Sequence, residues 1–372
     1  MTKWTPNRLF LFFLSIGVLQ TIFSLNLSHT FAEGMVTTPL EDTSFDTDSK
    51  KDLNMDMAVA DGISTEAIWF GFDKEVTIAT RHETRISKAP SIVTVITDEE
   101  IKNLGYRTFA EILRTVPGFE ILKKADFGDV VPAVRGLESA NKVRVMLNGH
   151  FINNPLRGGA FGNFDDFPVE NIKRIEIIRG PGSAMYGENA FTAAINIITK
   201  DAKDIDGVKV SSGYGSFDTY DENILFGKTY GNVNVSGMVH YRQSDGFDGI
   251  VESDNQTRID NALSSFGFPA ASRAPGRVED WRREYELNLK ADYKGVYFAG
   301  WYSNRNRGPF IGPQFALNDE SDVESNYVFG EVGYKKTFEE RLTFKPRVYY
   351  DQFDHNTYIE SFSEGVTLPL DT

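Results

Sequence analysis

Residues 172–200 read IKRIEIIRGPGSAMYGENAFTAAINIITK. Two apolar, β-branched runs, 175–178 and 195–198, stand on either side of a glycine-rich corner that opens with Arg179, and both have the composition of strands. Gly180, Pro181, Gly182 and Gly187 lie between them, where glycine tolerates positive φ and proline fixes φ near its turn value. The unit is a strand, a sharp corner and a second strand.

A strand running into Gly-x-Gly, with Asp201 further on, imitates a dinucleotide-binding loop. Met185 stands where the third glycine belongs, and residues 188–194 are fewer than the roughly ten to twelve that a crossover between parallel strands takes. The gap from Gly182 to Gly187 also imitates a Walker loop, but Glu188 and Asn189 follow where Lys and Ser/Thr are required. The residues argue against nucleotide binding.

Over its whole length the segment resembles the end of the plug domain of TonB-dependent outer-membrane receptors. The residues that carry the likeness are Arg179, Gly180, Pro181, Ser183, Tyr186, Gly187, Asn196, Ile197 and Ile198, with Gly182 inside the same motif. Upstream signals of the same family follow in order: SKAPSIVTVITDEEI (87–101), FAEILRTVPGFEI (109–121) and VRGLESANKVRVMLNGHFINN (134–154). The resemblance covers about residues 75–200. Thr192 and Ala193 depart from it where glycines are frequent, as does Asn148 where aspartate is common. It implies an α+β plug domain followed by antiparallel transmembrane β-barrel strands, forming an incomplete barrel.

The N-terminus points to export. Lys3 and Arg8 precede an apolar run ending near Leu27, and Thr30-Phe31-Ala32 supplies a small residue at the cleavage position, so a secretory signal peptide over 1–32 is expected, with mature protein starting near Glu33. An uncleaved anchor is the alternative, because about 17 apolar residues reach the lower limit for spanning. The chain has no cysteine, which removes a lipid-anchor thiol and a disulfide framework. Its net charge of −14 argues against a nucleic-acid partner, which needs a basic face. Much of that charge falls in 33–74, a stretch too poor in apolar residues to offset its ordering entropy, read as a flexible extension.

Residues 75–205 carry the signals of a small α+β domain. Thr97 with Glu100 forms a capping box opening a helix over 98–104, and Thr108 with Glu111 opens another that Pro117-Gly118 ends. Strands are expected at 92–96 and 143–147, the second running into Asn148-Gly149, a hairpin signal. From 206 to 372 the texture changes to long alternation. Tyr285, Leu287, Leu289, Ala291 and Tyr293 alternate with Glu284, Glu286, Asn288, Lys290 and Asp292, the dyad of a transmembrane barrel strand. Eight steps at roughly 3.3 Å make about 26 Å. Val233 to Tyr241 repeats the pattern, as does Leu342 to Tyr350, although a soluble sandwich also alternates. Barrels of the family have about 22 strands, whereas this region has room for seven or eight.

No catalytic constellation emerges, and the expectation is a protein that is not an enzyme and takes neither cofactor nor metal. His29, His82, His150, His240 and His355 are scattered without metal-ligand spacing. The neighbours Asp165-Asp166 are read as solvated, since adjacent residues point apart. The resemblance instead implies receptor-mediated uptake of a scarce solute of the iron-siderophore, cobalamin or haem class in the outer membrane of a Gram-negative bacterium. It implies energy delivered by the inner-membrane TonB complex to a plug facing the periplasm. The alternative is a truncated or split receptor that binds without transporting. Glu75, Val76, Thr77, Ile78, Ala79 and Thr80 resemble the TonB box, an extended segment suited to strand addition, and equally fit a first plug strand. Arg135-Gly136 and Arg179-Gly180 are candidates for contacts with barrel carboxylates. Arg157, Phe161, Phe164 and Phe167, in the glycine-rich loop 157–167, are candidates to face ligand.

Overall fold

In the computed structural model, which describes residues 92–155, 157–180, 182–338 and 342–360 together with Glu75–Val76, Ile78 and Thr84–Arg85, the two isoleucine-rich runs pair with each other. They form β9 (Ile172–Arg179) and β10 (Ala193–Thr199), antiparallel, with Ile195 opposite Ile177 and Ile197 opposite Ile175. An antiparallel pair needs no crossover, which removes the phosphate-loop reading on geometry as well as on sequence. The signal peptide and the acidic extension expected over 1–74, like Thr77, Ala79, Thr80 and Pro181, lie outside the described residues.

The elements before this corner are β1 (Glu75–Val76), β2 (Thr84–Arg85), β3 (Val93–Thr97), α1 (Asp98–Asn103), α2 (Phe109–Leu113), β4 (Phe119–Lys123), β5 (Val130–Val134), β6 (Leu137–Glu138), β7 (Val143–Leu147) and β8 (His150–Phe151). Within the corner lies α3 (Ser183–Tyr186), and after it α4 (Ala202–Ile205). Local chemistry sets the boundaries. The Thr97 hydroxyl accepts from Glu100 N–H at 3.3 Å while the Glu100 carboxylate accepts from Thr97 N–H at 2.7 Å, so α1 starts where the capping box places it. Asn148 and Gly149 both take positive φ, 51° and 82°, and Leu147 faces His150 across them, a two-residue hairpin turn.

A five-stranded sheet in the order β3-β9-β10-β7-β8 forms the plug's centre, with β10 and β7 parallel. One face of this sheet, through Ile175, Ile177, Ile195, Ile197, Val143 and Val145, packs against Phe109, Ile112 and Leu113 of α2. On a second, smaller cluster Ile178, Ala194 and Met146 meet Tyr186, Ala190 and Ile78.

Beyond Asp206 the chain is a wall: β11 (Gly207–Gly215), β12 (Thr219–Tyr230), β13 (Val233–Ser244), β16 (Arg282–Tyr293), β17 (Val296–Arg307), β18 (Asp322–Tyr334) and β21 (Arg347–Tyr358) lie side by side in sequence order. Each pairs antiparallel with the next. Residues 231–232 and 294–295 make the tight turns at one end. At the other end are 245–281, carrying β14 (Ile250–Val251), α5 (Asn255–Leu263) and β15 (Gly276–Arg277), and 308–321. The two longest connections thus share one rim, together with the three-residue turn 216–218, and the opposite rim carries the two-residue turns and the connection 335–346; long loops gathered on one rim are the habit of outer-membrane barrels.

The wall is inside out by the standards of a soluble protein. Leu287 is 49% exposed while its neighbour Glu286 is 2% exposed, and Tyr285 and Leu289 share the outer face with Leu287 while Glu284 and Asn288 share the inner. An apolar outer face and a polar inner face are what strands in lipid require. The alternation expected over Leu342, Phe344, Val348 and Tyr350 is interrupted. It divides into β20 (Leu342–Phe344), which pairs with β19 (Lys336–Phe338), and the start of β21. Pro346 lies between them; it has no N–H for a ladder, and its carbonyl accepts from Tyr334 N–H at 3.0 Å.

Candidate functional site

Two places on the plug bear on function: its seam with the wall and the ledge that receives Ile78. At the seam the loop 157–167 lies against the inner faces of β16, β17 and β18. Phe167 stacks on Trp301 with centroids 5.0 Å apart, and Phe164 meets Tyr327 edge-on at 5.5 Å. Phe161 stacks on Phe109 at 5.7 Å. All three phenylalanines are buried and offer no open ring to a solute, unlike the ligand-facing role expected of them; Phe164 and Phe167 join plug to wall, while Phe161 packs within the plug. The physical reason is the wall's inner face: Trp301 and Tyr327 are apolar surfaces on its polar side, and Phe164 and Phe167 cover them.

The seam's charges are also arranged differently from the expectation. Asp165 and Asp166 are buried, not solvated, and both accept from the Arg282 guanidinium, Asp165 at 3.3 Å. They converge because they sit in a turn, where the rule that neighbours on a strand diverge does not hold. Burial and the adjacent Asp166 push Asp165 up. Burial acts the same way on Asp166, but Arg282, Arg242 and Arg305 outweigh it and hold that carboxyl well below the usual range. Nearer the long-loop rim, Arg307 binds both the Asp129 carboxylate and the Phe127 carbonyl. Lys123 pairs with Asp280 at 2.6 Å and lies 4.2 Å from the Phe310 ring; burial lowers its ammonium against the pull of Asp280. At the far side of the plug His150 stacks on Phe329 at 4.0 Å and reaches Asp351 at 2.8 Å, with burial pushing the imidazole down.

Thus at Arg282 and Arg307 the plug gives carboxylates and the wall gives arginines, while at Lys123–Asp280 and His150–Asp351 the polarity is reversed. Arg135, at φ 52°, is exposed, and Arg179 donates to the Pro117 carbonyl at 3.1 Å; among the described residues neither meets a wall carboxylate. Gly136 and Gly180 both take positive φ, 79° and 131°. Arg157 is half exposed and reaches Asp129 at 3.3 Å. Its N–H donates to Asn154 Oδ1 at 3.2 Å, and two residues on, the chain passes so close to Ala140 that a Cβ on Gly159 would fall 2.6 Å from the Ala140 carbonyl oxygen. Sequence reasoning missed Arg282, Arg305, Arg307 and Asp129. The available signal was parity: charges on the non-lipid face of a strand need partners, and Asp165-Asp166 lay in the glycine-rich loop.

The motif residues act on the ledge. Asn196 Oδ1 accepts from Gly149 N–H at 2.9 Å, and Asn148 exchanges bonds with Thr199, so β10 holds the β7–β8 turn and asparagine serves at position 148. Gly182 N–H donates to the Ala190 carbonyl at 2.8 Å, and Gly187 takes φ 72°. Tyr186, presented by α3, donates its hydroxyl to the Ile78 carbonyl at 2.5 Å, and Ile78 N–H donates to the buried Glu176 carboxylate at 2.8 Å. Ile78 is 1% exposed. Just before it, Glu75 and Val76 pair antiparallel with Arg85 and Thr84, outside the five-stranded sheet. Among the described residues no group of three His, Asp or Glu side chains is placed to hold a metal ion.

Residues 85–194 match the family model described as the TonB-dependent Receptor Plug Domain. Over 256 residues the chain is 31% identical to the vitamin B12 transporter BtuB of Vibrio vulnificus (strain CMCP6), an alignment covering 68% of this chain and 39% of that protein. The chain therefore spans about two fifths of the length of this relative. Among solved structures, BauA, the ferric preacinetobactin receptor of Acinetobacter baumannii, superposes with a TM-score of 0.54 at 14% identity, covering 76% of this chain and 40% of that one. The ferric-catecholate import receptor Fiu of E. coli K12 gives 0.52 at 15% identity, covering 73% and 40%. At these identities the structural likeness speaks for the fold.

Proposed function

The chain belongs to the TonB-dependent receptors, and from that premise we propose that it is the plug and first wall strands of an outer-membrane receptor for energised uptake of a scarce solute. The observation that carries this is the wall, apolar outward and charged inward, joined to the plug through Phe164, Phe167 and Arg282 and sharing one hydrophobic core with it. The solute class is cobalamin or a metal chelate. Likeness to a vitamin B12 transporter supports the first. The plug and N-terminus face the periplasm, because the long loops 245–281 and 308–321 rise from the opposite rim.

Glu75 to Thr80 is the segment that the TonB complex grasps. It is extended at Glu75–Val76 and lies outside the main sheet, and its one deeply buried described residue, Ile78, is held by two side chains, Glu176 and Tyr186. Strand addition uses backbone groups, and those of Ile78 are reached only when this clasp opens.

The test, made on a full-length receptor that contains this plug and these strands, is uptake of labelled cyanocobalamin and of ferric chelates by cells lacking their own receptors, with and without TonB. Accumulation of one solute that depends on TonB is expected. Ile78→Pro removes the donor to Glu176 and a donor for strand pairing, so binding should persist while accumulation collapses. Binding by the unaltered protein without accumulation in any strain would favour a receptor fragment that only captures its solute. Loss of binding in Ile78→Pro, with new protease cleavage near Arg135, would make the segment a structural strand.

A further inference from the structure

On the long-loop side, next to the point where Gly312 N–H donates to the plug's Asp126 carbonyl at 2.8 Å, lies a cavity of about 440 Å³ between α5, the turn 313–318 and Glu360 at the end of the described chain. That volume falls within the range of small-molecule sites. From α5 it takes Asn255, Arg258, Ile259 and Ala262, positions i, i+3, i+4 and i+7, which is one helix face. This face is not spent on packing: Ile259 is 45% exposed. The cavity is nonetheless built. Asp254 caps α5 through Thr257 N–H at 2.7 Å and also receives Ser272 Oγ and Leu317 N–H, at 2.7 and 2.9 Å. It thereby ties both long loops to one carboxylate. Asn255 Nδ2 donates to the Gln314 carbonyl at 2.7 Å, and Asn318 Nδ2 to Glu360. Gln314 and Phe315 both stand in the left-handed region, at φ 59° and 58°. Free loops relax out of such backbone strain, and where it persists it concentrates at ligand clamps and similar working sites.

The chemistry of the lining selects a ligand. Glu360 is engaged by Asn318 at 2.7 Å and faces Arg273 at 3.8 Å. Arg258 is exposed and makes no ion pair among the described residues. The uncommitted charge is therefore a guanidinium, beside apolar walls from Ile259, Ala262, Pro313 and Leu317. We propose that this cavity is a binding site for a small amphipathic organic anion, its carboxylate or phosphate on Arg258 and its flat or apolar body against Ile259 and Leu317. It is a site separate from the plug mouth. The proposal rests on the receptor reading only for the side of the membrane it faces.

The test uses outer-membrane vesicles carrying the protein, with vesicles lacking it as blank. The probe is 2-naphthoate, whose fluorescence reports transfer to apolar surroundings, with 2-naphthamide as its neutral twin. Saturable binding of naphthoate is expected, weakened at least about tenfold in Arg258→Gln, as loss of a charge-assisted hydrogen bond implies, and partly restored in Arg258→Lys. Ile259→Trp, which fills the cavity, should lose both probes, and Arg157→Ala at the plug mouth should change neither. Equal affinity in Arg258→Gln, equal binding of the two probes by the unaltered protein, or a loss in Arg157→Ala would each overturn the assignment. Equilibrium binding needs no TonB and no uptake, so the transport reading can fail while this one stands, and the reverse.

Discussion

Arg282 is the residue on which the plug–wall contact turns. Its guanidinium serves two adjacent buried carboxylates, and those carboxylates respond to pH in opposite senses. Asp166 is depressed in the folded protein, so the stability it contributes is complete above about pH 3.9, the unfolded value, and is lost only as pH falls through its lower folded value. Asp165 is raised, so the cost of its burial is complete above its folded value and lifts as pH falls through that value toward about 3.9, the unfolded one. The unaltered seam should therefore tolerate mild acid. Arg282→Gln takes away the common partner and leaves both carboxylates buried. We expect it to destabilise the plug–wall contact by about 3–5 kcal/mol at pH 7. Acidification to about pH 5 should then restore part of the loss, since both groups would take protons more readily. Urea midpoints for protease protection of the plug, at pH 7 and pH 5, measure this. A variant that matches the unaltered protein at both pH values would mean the wall holds the plug by its aromatic contacts alone.

At the scale of the element, the features legible in the sequence are those whose partners are close in the chain. The Thr97–Glu100 box, the Thr108–Glu111 cap at 3.2 Å and the Asn148-Gly149 turn all depend on residues within four positions. The alternation of Glu284 to Tyr293 shows which side of β16 is apolar without saying what lies on either side. What the sequence hid is the pairing across the seam. Asp166 and Arg282 are 116 positions apart and His150 and Asp351 are 201 apart, and no local rule links them. The phenylalanines of 157–167 show the same limit: their composition announced an aromatic surface, but only tertiary packing decides whether that surface meets a solute or Trp301. The strand-face assignment itself is testable. Leu287 is mid-strand and points out, so Leu287→Lys should cost about 2–4 kcal/mol in a bilayer, while Leu287→Phe should be nearly neutral. Urea-refolding midpoints in lipid vesicles measure both. If Leu287→Lys were neutral, this face would be in contact with water.

For the whole molecule, the seven-stranded wall has two margins. Among the described residues β11 pairs only with β12, and β21 only with β18. Both margins carry outward apolar groups, Val208 and Val210 on one side, Val348 and Tyr350 on the other. Closing the seven strands on themselves is not open to the chain, because a barrel of about eight strands is just filled by its own side chains. Here the inner face of β17 and β18 is already occupied by Phe164 and Phe167 of the plug. The curvature must stay wide enough for the plug, and the margins stay open. In lipid, each unpaired backbone group along a margin costs several kcal/mol, more in total than the aromatic contacts at the seam can offset. The 372 residues taken alone should accordingly give no closed monomeric barrel. On electrophoresis without boiling they should run as the boiled sample does, and added protease should cut within β11 and β21 while sparing the plug core around Ile175 and Ile195. A compact band that shifts only on boiling, with both margins protected, would mean that the strands pair edge to edge after all and that the plug has left the wall to let them.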